Sequence, residues 1–419
     1  MIRKEVFGNG LTVITEAMPH VRSISLGVWL RTGSRHEAAQ VNGISHFIEH
    51  LVFKGTMRRS AQEIALIIDS IGGQVDAFTG KEYTCFYTRV LDEHLPIAID
   101  LLSDIVLSPR FAADDIEKER KVIFEEIRMV EDSPDELVYD LFSQHYWKGH
   151  PLGRPIQGTK RSVAGLKPEH LTRHFGGSYR PENMVIAAAG NLRHARFVKA
   201  LSKAFEPLEA GRVDGRITPP RDYPIFVRRE KGELEQLHIC LGLPALPTTS
   251  RQRYKLLVLN TVLGGTMSSR LWQRIREGSG LAYSVFSSVN SFADCGFLMI
   301  YAATNPSAGD MVLRQIVEEL VRLKSEPIGD KELRVAKDHL KGALMLSLES
   351  SSSRMSNLAR QDIYFGRQST NEEVLRCVEA VTTGQLQALA RKLLVGERCG
   401  LAVVGRLSRF KTRRSALEL

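Results

Sequence analysis

No apolar run in the sequence approaches the ~20 residues that a membrane-spanning helix needs, so no helical membrane span is expected. Cysteine is scarce. Five residues (Cys85, Cys240, Cys295, Cys377 and Cys399) are scattered, odd in number and without a Cys-x-x-Cys pair. That pattern speaks against a disulfide frame or a thiolate zinc site and fits reduced, mostly buried thiols. The N-terminal stretch "MIRKEVFGNGLTVITE" has no apolar core and no small-residue cleavage site, and it lacks an Arg-rich presequence. A cytoplasmic protein is therefore expected. The net charge is +9, yet no basic run is interleaved with aromatics, and the densest cluster, "RLSRFKTRR", lies in the C-terminal tail. A nucleic-acid partner is accordingly not expected. No Ser/His/Asp order or Gly-x-Ser-x-Gly elbow is present, and "GGTMSSR" lacks the spacing of a phosphate loop.

What is there is a chain of 419 residues, 43% hydrophobic and 25% charged, the balance of a globular protein and enough for two domains. The first half reads as strands at "LTVITEAMP" and "SISLGVWLRTGS", helices at "GISHFIEHLVF" and "SAQEIALIIDSIGG", and a hairpin over "QVDAFTGKEYTCFYTRVL". Helices at "HLPIAIDLLSDIVL" and "AADDIEKERKVIFEEIRMVED" follow. The second half repeats this order, and two matched strands are offset by about 212 and about 211 residues. A constant offset predicts tandem copies of one α+β domain, each a largely antiparallel sheet with helices on one face. The expected division is a first domain over 1–208, a Gly/Pro-rich linker over 209–224 and a homologous domain over 225–419.

The copies differ at "GISHFIEHLVFKG". His46 and His50 are four apart, hence on one helical face, and can offer two imidazoles to a single cation. Glu49 lies beside them. Zinc suits two imidazoles and a carboxylate, and leaves a position for a water that a neighbouring glutamate can deprotonate. Ile44, Phe47, Ile48, Leu51, Val52 and Phe53 make this helix apolar nearly all round, so its polar residues would be buried and need compensation. A third ligand is sought on the helix "EKERKVIFEEIRMVED", which offers Glu117, Glu119, Glu125, Glu126 and Glu131. Glu119 and Glu126 are seven apart and share a face with Ile123, and spacing narrows the choice no further. The serines of "SLESSSSRMSNLARQ" are expected to face solvent, and His145 and His150 to serve core or loop roles.

His46-Phe47-Ile48-Glu49-His50 is the inverted zinc-peptidase signature His-x-x-Glu-His. With Glu126 placed 76 residues beyond His50, the chain resembles the pitrilysin/insulinase (M16) metallopeptidases, in the branch of mitochondrial processing peptidase β and its bacterial relatives. The similarity covers nearly the whole chain, including "GGQVDAFTGKEYTCFYTRVL", "HPLGRPIQGT", "YRPENMVIAAAGN" and "GGTMSSRLWQRIREGSGLAYSV". The resemblance implies one Zn2+ per chain, held by His46, His50 and Glu126, with Glu49 as general base and Glu119 orienting a ligand from behind. It further implies an edge strand at Asp76, Ala77 and Phe78 that pairs with an extended peptide substrate. Arg276 and Tyr283 would hold that substrate and the oxyanion. Asp76 stands where relatives usually carry Asn. Its charge would weaken backbone contacts or favour basic peptides. Fuller members of the family have four domains, so a homodimer, or a heterodimer with an inactive homologue, is implied. The alternative within the family is a catalytically silent partner subunit, against which the intact His46, Glu49, His50 and Glu126 count.

Overall fold

The computed structural model describes residues 1–205, 208–211 and 217–419, so much of the expected linker lies outside the described residues. Six strands form the first sheet: β1 (Ile2–Val6), β2 (Thr12–Ala17), β3 (Ser23–Leu30), β4 (Gln74–Thr79), β5 (Thr84–Leu91) and β6 (Met184–Gly190). Their order is β1-β2-β6-β3-β5-β4, and only the β2–β6 pair is parallel. The second sheet holds β7 (Phe226–Glu230), β8 (Leu237–Pro244), β9 (Ala282–Ser291), β10 (Gly296–Thr304) and β11 (Gly400–Gly405). Its order, β7-β11-β8-β10-β9 with one parallel pair, repeats that of β2-β6-β3-β5-β4. The duplication expected from the strand offsets is therefore a duplication of topology, in a mixed α+β fold.

Four helices matter below: α1 (Ile44–Leu51), α2 (Ala113–Asp132), α3 (Pro134–Tyr146) and α4 (Ser351–Phe365). The chain divides into two compact units. The first comprises 1–128, 154–217 and 345–368, and the second 129–153, 218–344 and 369–419. Each thus draws a segment from the other half of the sequence. In the first unit, Ile24, Leu26, Val28 and Leu30 of β3 face a core that includes Phe47, Ile48, Ile123 and Ile127. Trp29 faces the other way, toward Met355, Leu358 and Ala359 of α4. In the second unit Phe142 and Tyr146 of α3 pack with Cys240, Phe297 and Ala402. Both sheets therefore carry a helix on the face opposite the main helical layer. This explains why β3 and β8 are buried along nearly their whole length rather than at alternate residues.

The close approach of α4 also explains a glycine within β3. A Cβ at Gly27 would meet Met355 Sδ at 2.7 Å. Two serines at the start of α4 depart from the expectation that they face solvent, while Ser353 is exposed. Ser351 is buried, and Ser351 and Ser352 each lie 2.9 Å, Oγ to Oγ, from Ser25 of β3. A hydroxyl under a sheet needs a partner, and β3 supplies one.

Candidate metal centre

α1 starts at Gly43, whose φ of +95° no side chain tolerates well, and gives way to a tight turn over Val52–Lys54 before Gly55. Ile44, Phe47, Ile48 and Leu51 are buried, at the spacing of one helical face. That leaves His46, Glu49 and His50 on the remaining face. α2 runs past this face and buries Ile116, Glu119, Ile123 and Ile127. Arg120 of α2 fastens the two helices, with its guanidinium over the Phe47 ring and 2.9 Å from the Leu166 carbonyl.

The register so fixed brings Glu126 to both histidines, 3.6 Å from His46 Nε2 and 3.4 Å from His50 Nε2. One donor atom from each of the three residues lies within 4.8 Å of the others, the sole such group among the described residues. Three donors around a tetrahedral zinc at about 2.0–2.1 Å stand roughly 3.3 Å apart, so spacing and donor set both fit that ion. Among the other glutamates of α2, Glu117 pairs with Arg120 and Glu125 with Arg128, as surface charges do.

Glu119 is 5% exposed, and its two oxygens divide their work. Oε2 lies 3.2 Å from His50 Nδ1, while Oε1 lies 2.9 Å from the Lys54 ammonium. The carboxylate accepts the Nδ1 proton of His50, which leaves Nε2 as the lone-pair donor facing Glu126. Lys54 supplies a compensating charge beside this buried carboxylate. Sequence reasoning had no signal for Lys54, which sits in the turn beyond α1. Since outer partners of this kind typically change metal affinity 10- to 100-fold, Lys54→Met and Glu119→Gln are each expected to weaken zinc binding by about that much. Competition with a chromogenic chelator measures this, and wild-type affinity in both variants would contradict it.

Burial, with a smaller contribution from the neighbouring His50, pushes the His46 imidazole down to about 3. Its Nδ1 is buried without a hydrogen-bond partner, so the ring's polar contact runs through the nitrogen facing Glu126. Burial likewise pushes His174 down to about 4, aided by the nearby His36. Both rings are neutral in the folded chain, whereas the unfolded chain protonates them near the ordinary 6.5. Below that pH the unfolded state binds more protons, so stability falls as pH drops toward about 4 for His174 and about 3 for His46. In the metal-free protein each ring should cost about 1.6 kcal/mol between pH 6.5 and 5. Urea unfolding at the two pH values measures this, and equal midpoints would contradict it.

Glu49 accepts a hydrogen bond from the Thr79 hydroxyl at the end of β4. Burial raises its carboxyl above the usual range, and that hydrogen bond opposes the rise. Thr79 is a second partner that no sequence signal marked. β4 is an edge strand with β5 as its single strand partner among the described residues. On it Asp76 is exposed, held by the Tyr87 hydroxyl at 3.2 Å and by the Ala77 amide at 2.8 Å, while Ala77 is half-buried. Phe78 stands edge-on to Trp29, with ring centroids 5.6 Å apart.

Arg276 and Tyr283 belong to the second unit. The Arg276 guanidinium lies 4.1 Å from the Trp272 ring centre and 5.4 Å from that of Tyr283. Tyr283 is 76% exposed. Arg276 sits in a π-helical stretch, Trp272–Gly278, a rare geometry enriched at functional sites. His145 and His150 take structural roles, placing ring nitrogens 2.8 and 2.9 Å from the carbonyls of Leu141 and Thr218.

Residues 12–160 match the family described as Insulinase (Peptidase family M16), and residues 166–340 match the Peptidase M16 inactive domain. The uncharacterized zinc protease YmxG of Bacillus subtilis is 44% identical over 394 residues, 94% of this chain and 96% of its own length. An uncharacterized zinc protease of Streptomyces coelicolor is 39% identical, over 97% of this chain and 90% of its own. Among solved structures, a protease from Helicobacter pylori superposes with a TM-score of 0.90 at 22% identity, covering 96% of this chain and 99% of its own. A Pseudomonas fluorescens structure described as a peptidase M16 inactive domain gives 0.91 at 20% identity, over 98% and 100%. These two share the fold. With identities of 33–44% to zinc proteases over most of its length, the chain belongs to peptidase family M16.

Proposed function

We propose that the protein is a zinc-dependent endopeptidase that hydrolyses peptide bonds of extended or unfolded peptides. The observation that carries this reading is the placement of His46, His50 and Glu126 at tetrahedral donor spacing, with Glu49 beside them. One zinc per chain at those three residues would polarise the scissile carbonyl and acidify a water. The protein groups then have distinct tasks. Glu49 takes the proton of the attacking water and returns it to the leaving amine, which its burial-raised carboxyl suits it to hold in transit. Thr79 keeps the Glu49 carboxylate in place. Glu119, backed by Lys54, fixes the His50 tautomer.

The open edge of β4 supports the substrate class. An extended peptide can add to such an edge through main-chain hydrogen bonds, which bind varied sequences alike. Asp76 gives that edge a negative charge and favours basic peptides. Arg276 and Tyr283 keep, in this reading, the substrate-holding role that the resemblance implies. The reading includes a cytoplasmic location and a dimeric state, with a second copy or an inactive homologue. Among the described residues no helix is long and apolar enough to cross a membrane.

Turnover of a quenched library of unstructured peptides tests the function. Activity should vanish on chelation with 1,10-phenanthroline and return in full on adding zinc, about one ion per chain. Activity that survives complete chelation would overturn the reading. A zinc-loaded chain inert toward every peptide would leave a silent subunit instead.

A further inference from the structure

The "HPLGRPIQGT" block takes no part in the chemistry above, yet residues 154–158 of it are built against the amino end of α1. α1 begins without a side-chain cap of its own, since its N-cap residue is Gly43. A carboxylate from upstream fills the place. Glu37, 3% exposed, accepts the Gly43 amide at 2.7 Å and the Asn42 side chain at 3.0 Å on Oε2, and the Ser45 amide at 2.9 Å on Oε1. Two of the orphan amides at the helix start are thereby satisfied, by a group whose charge the helix dipole favours.

The loop holds this cap from behind. Asn42 Nδ2 also donates to the Pro155 carbonyl at 3.1 Å, and Arg154 Nη1 donates to the Glu37 carbonyl at 2.9 Å. The backbones approach too closely for side chains. A Cβ on Gly43 would stand 2.6 Å from the Gln157 oxygen, and one on Gly158 would stand 2.5 Å from the Asn42 oxygen. Both glycines also have positive φ, so each position requires glycine twice over.

We propose that Glu37, clamped by the Arg154–Gly158 loop, is a positioning residue that fixes α1 and so sets the spacing of His46 and His50 to Glu126. The inference rests on the zinc-peptidase reading and deepens it. α1 has only two turns, so its amino end lies close to both histidines, and the cap sets their axial position together with the packing of Phe47 under Arg120. The donor spacings of 3.4 and 3.6 Å leave little room for a shift. Misplacement of the order of 1 Å can cost about a hundredfold in rate.

Glu37→Gln keeps the side chain's size but turns an amide nitrogen toward a donor. In the full chain at 20 °C the expected result is zinc affinity weaker by about tenfold or more in chelator competition. The zinc-saturated variant should also show a lower kcat at nearly unchanged KM. Asn42→Ala, which cuts the tie to Pro155 and spares both amide bonds, should move both quantities the same way by less, and it serves if Glu37→Gln does not fold. A fall in Tm with wild-type zinc affinity and kcat would overturn the proposal and leave Glu37 a stabilising group. A wild type that takes up no zinc would instead overturn the proposed function. Hydrogen exchange would then decide the clamp. Faster exchange in the variant confined to the α1 amides supports it, and unchanged exchange there overturns it.

Discussion

Glu49→Gln is expected to lower kcat by about 10²- to 10⁴-fold while leaving zinc content at one per chain. The carboxylate stands beside the three donors rather than among them, and it is tied to Thr79. Glutamine can still accept that hydroxyl and fills the same space, so neither α1 nor the donor spacing should change. What it cannot do is take a proton. KM should accordingly move little, because the loss is made only in the transition state. Metal analysis and steady-state kinetics on the same preparation measure both halves. A variant that retains wild-type kcat would remove Glu49 from the mechanism.

Glu126→Ala carries the second large effect and has the opposite signature. It removes one of three donors, so zinc and activity should disappear together. The loss of affinity should exceed the 10- to 100-fold that outer partners such as Glu119 cost. Folding should survive, since Glu126 is only half-buried. Retention of a tightly bound zinc by this variant would mean that the third donor lies elsewhere. Taken together, the two variants separate holding the ion from moving the proton.

How much of this was legible in the sequence depends on the range of the physics. The relation of His46 to His50 is a property of one helix, and a spacing of four residues states it in full. Glu126 is different. Five glutamates on one helix offered themselves, and the one that meets the histidines is chosen by how Ile116, Ile123 and Ile127 seat α2 against the core. That register is tertiary, and spacing could narrow it only to a face shared with Glu119. Thr79 and Lys54 were illegible for the same reason. A threonine closing a strand and a lysine in a turn are ordinary until the fold puts a carboxylate beside each.

The sheets show a similar division. Strand offsets revealed the duplicated topology, because each copy repeats its own local pattern. The alternation of Ser23, Ser25 and Gly27 with Ile24, Leu26 and Val28 in β3 gave no sign that its second face is also covered. Which helix covers the second face has no periodic signature, and α4 arrives there from more than 300 residues away. The buried Ser351 follows from that docking, since a serine-rich helix start reads as solvated until its partner Ser25 is known.

The central claim is that His46, His50 and Glu126 hold one zinc. Zinc-edge X-ray absorption on the purified chain, alongside His50→Ala, tests it most directly. The expected spectrum has two imidazole nitrogens at about 2.0–2.1 Å, with the remaining ligands oxygen and no sulfur, and it is lost in the variant. A sulfur-rich shell, or an unchanged spectrum in His50→Ala, would place the metal elsewhere and contradict the account.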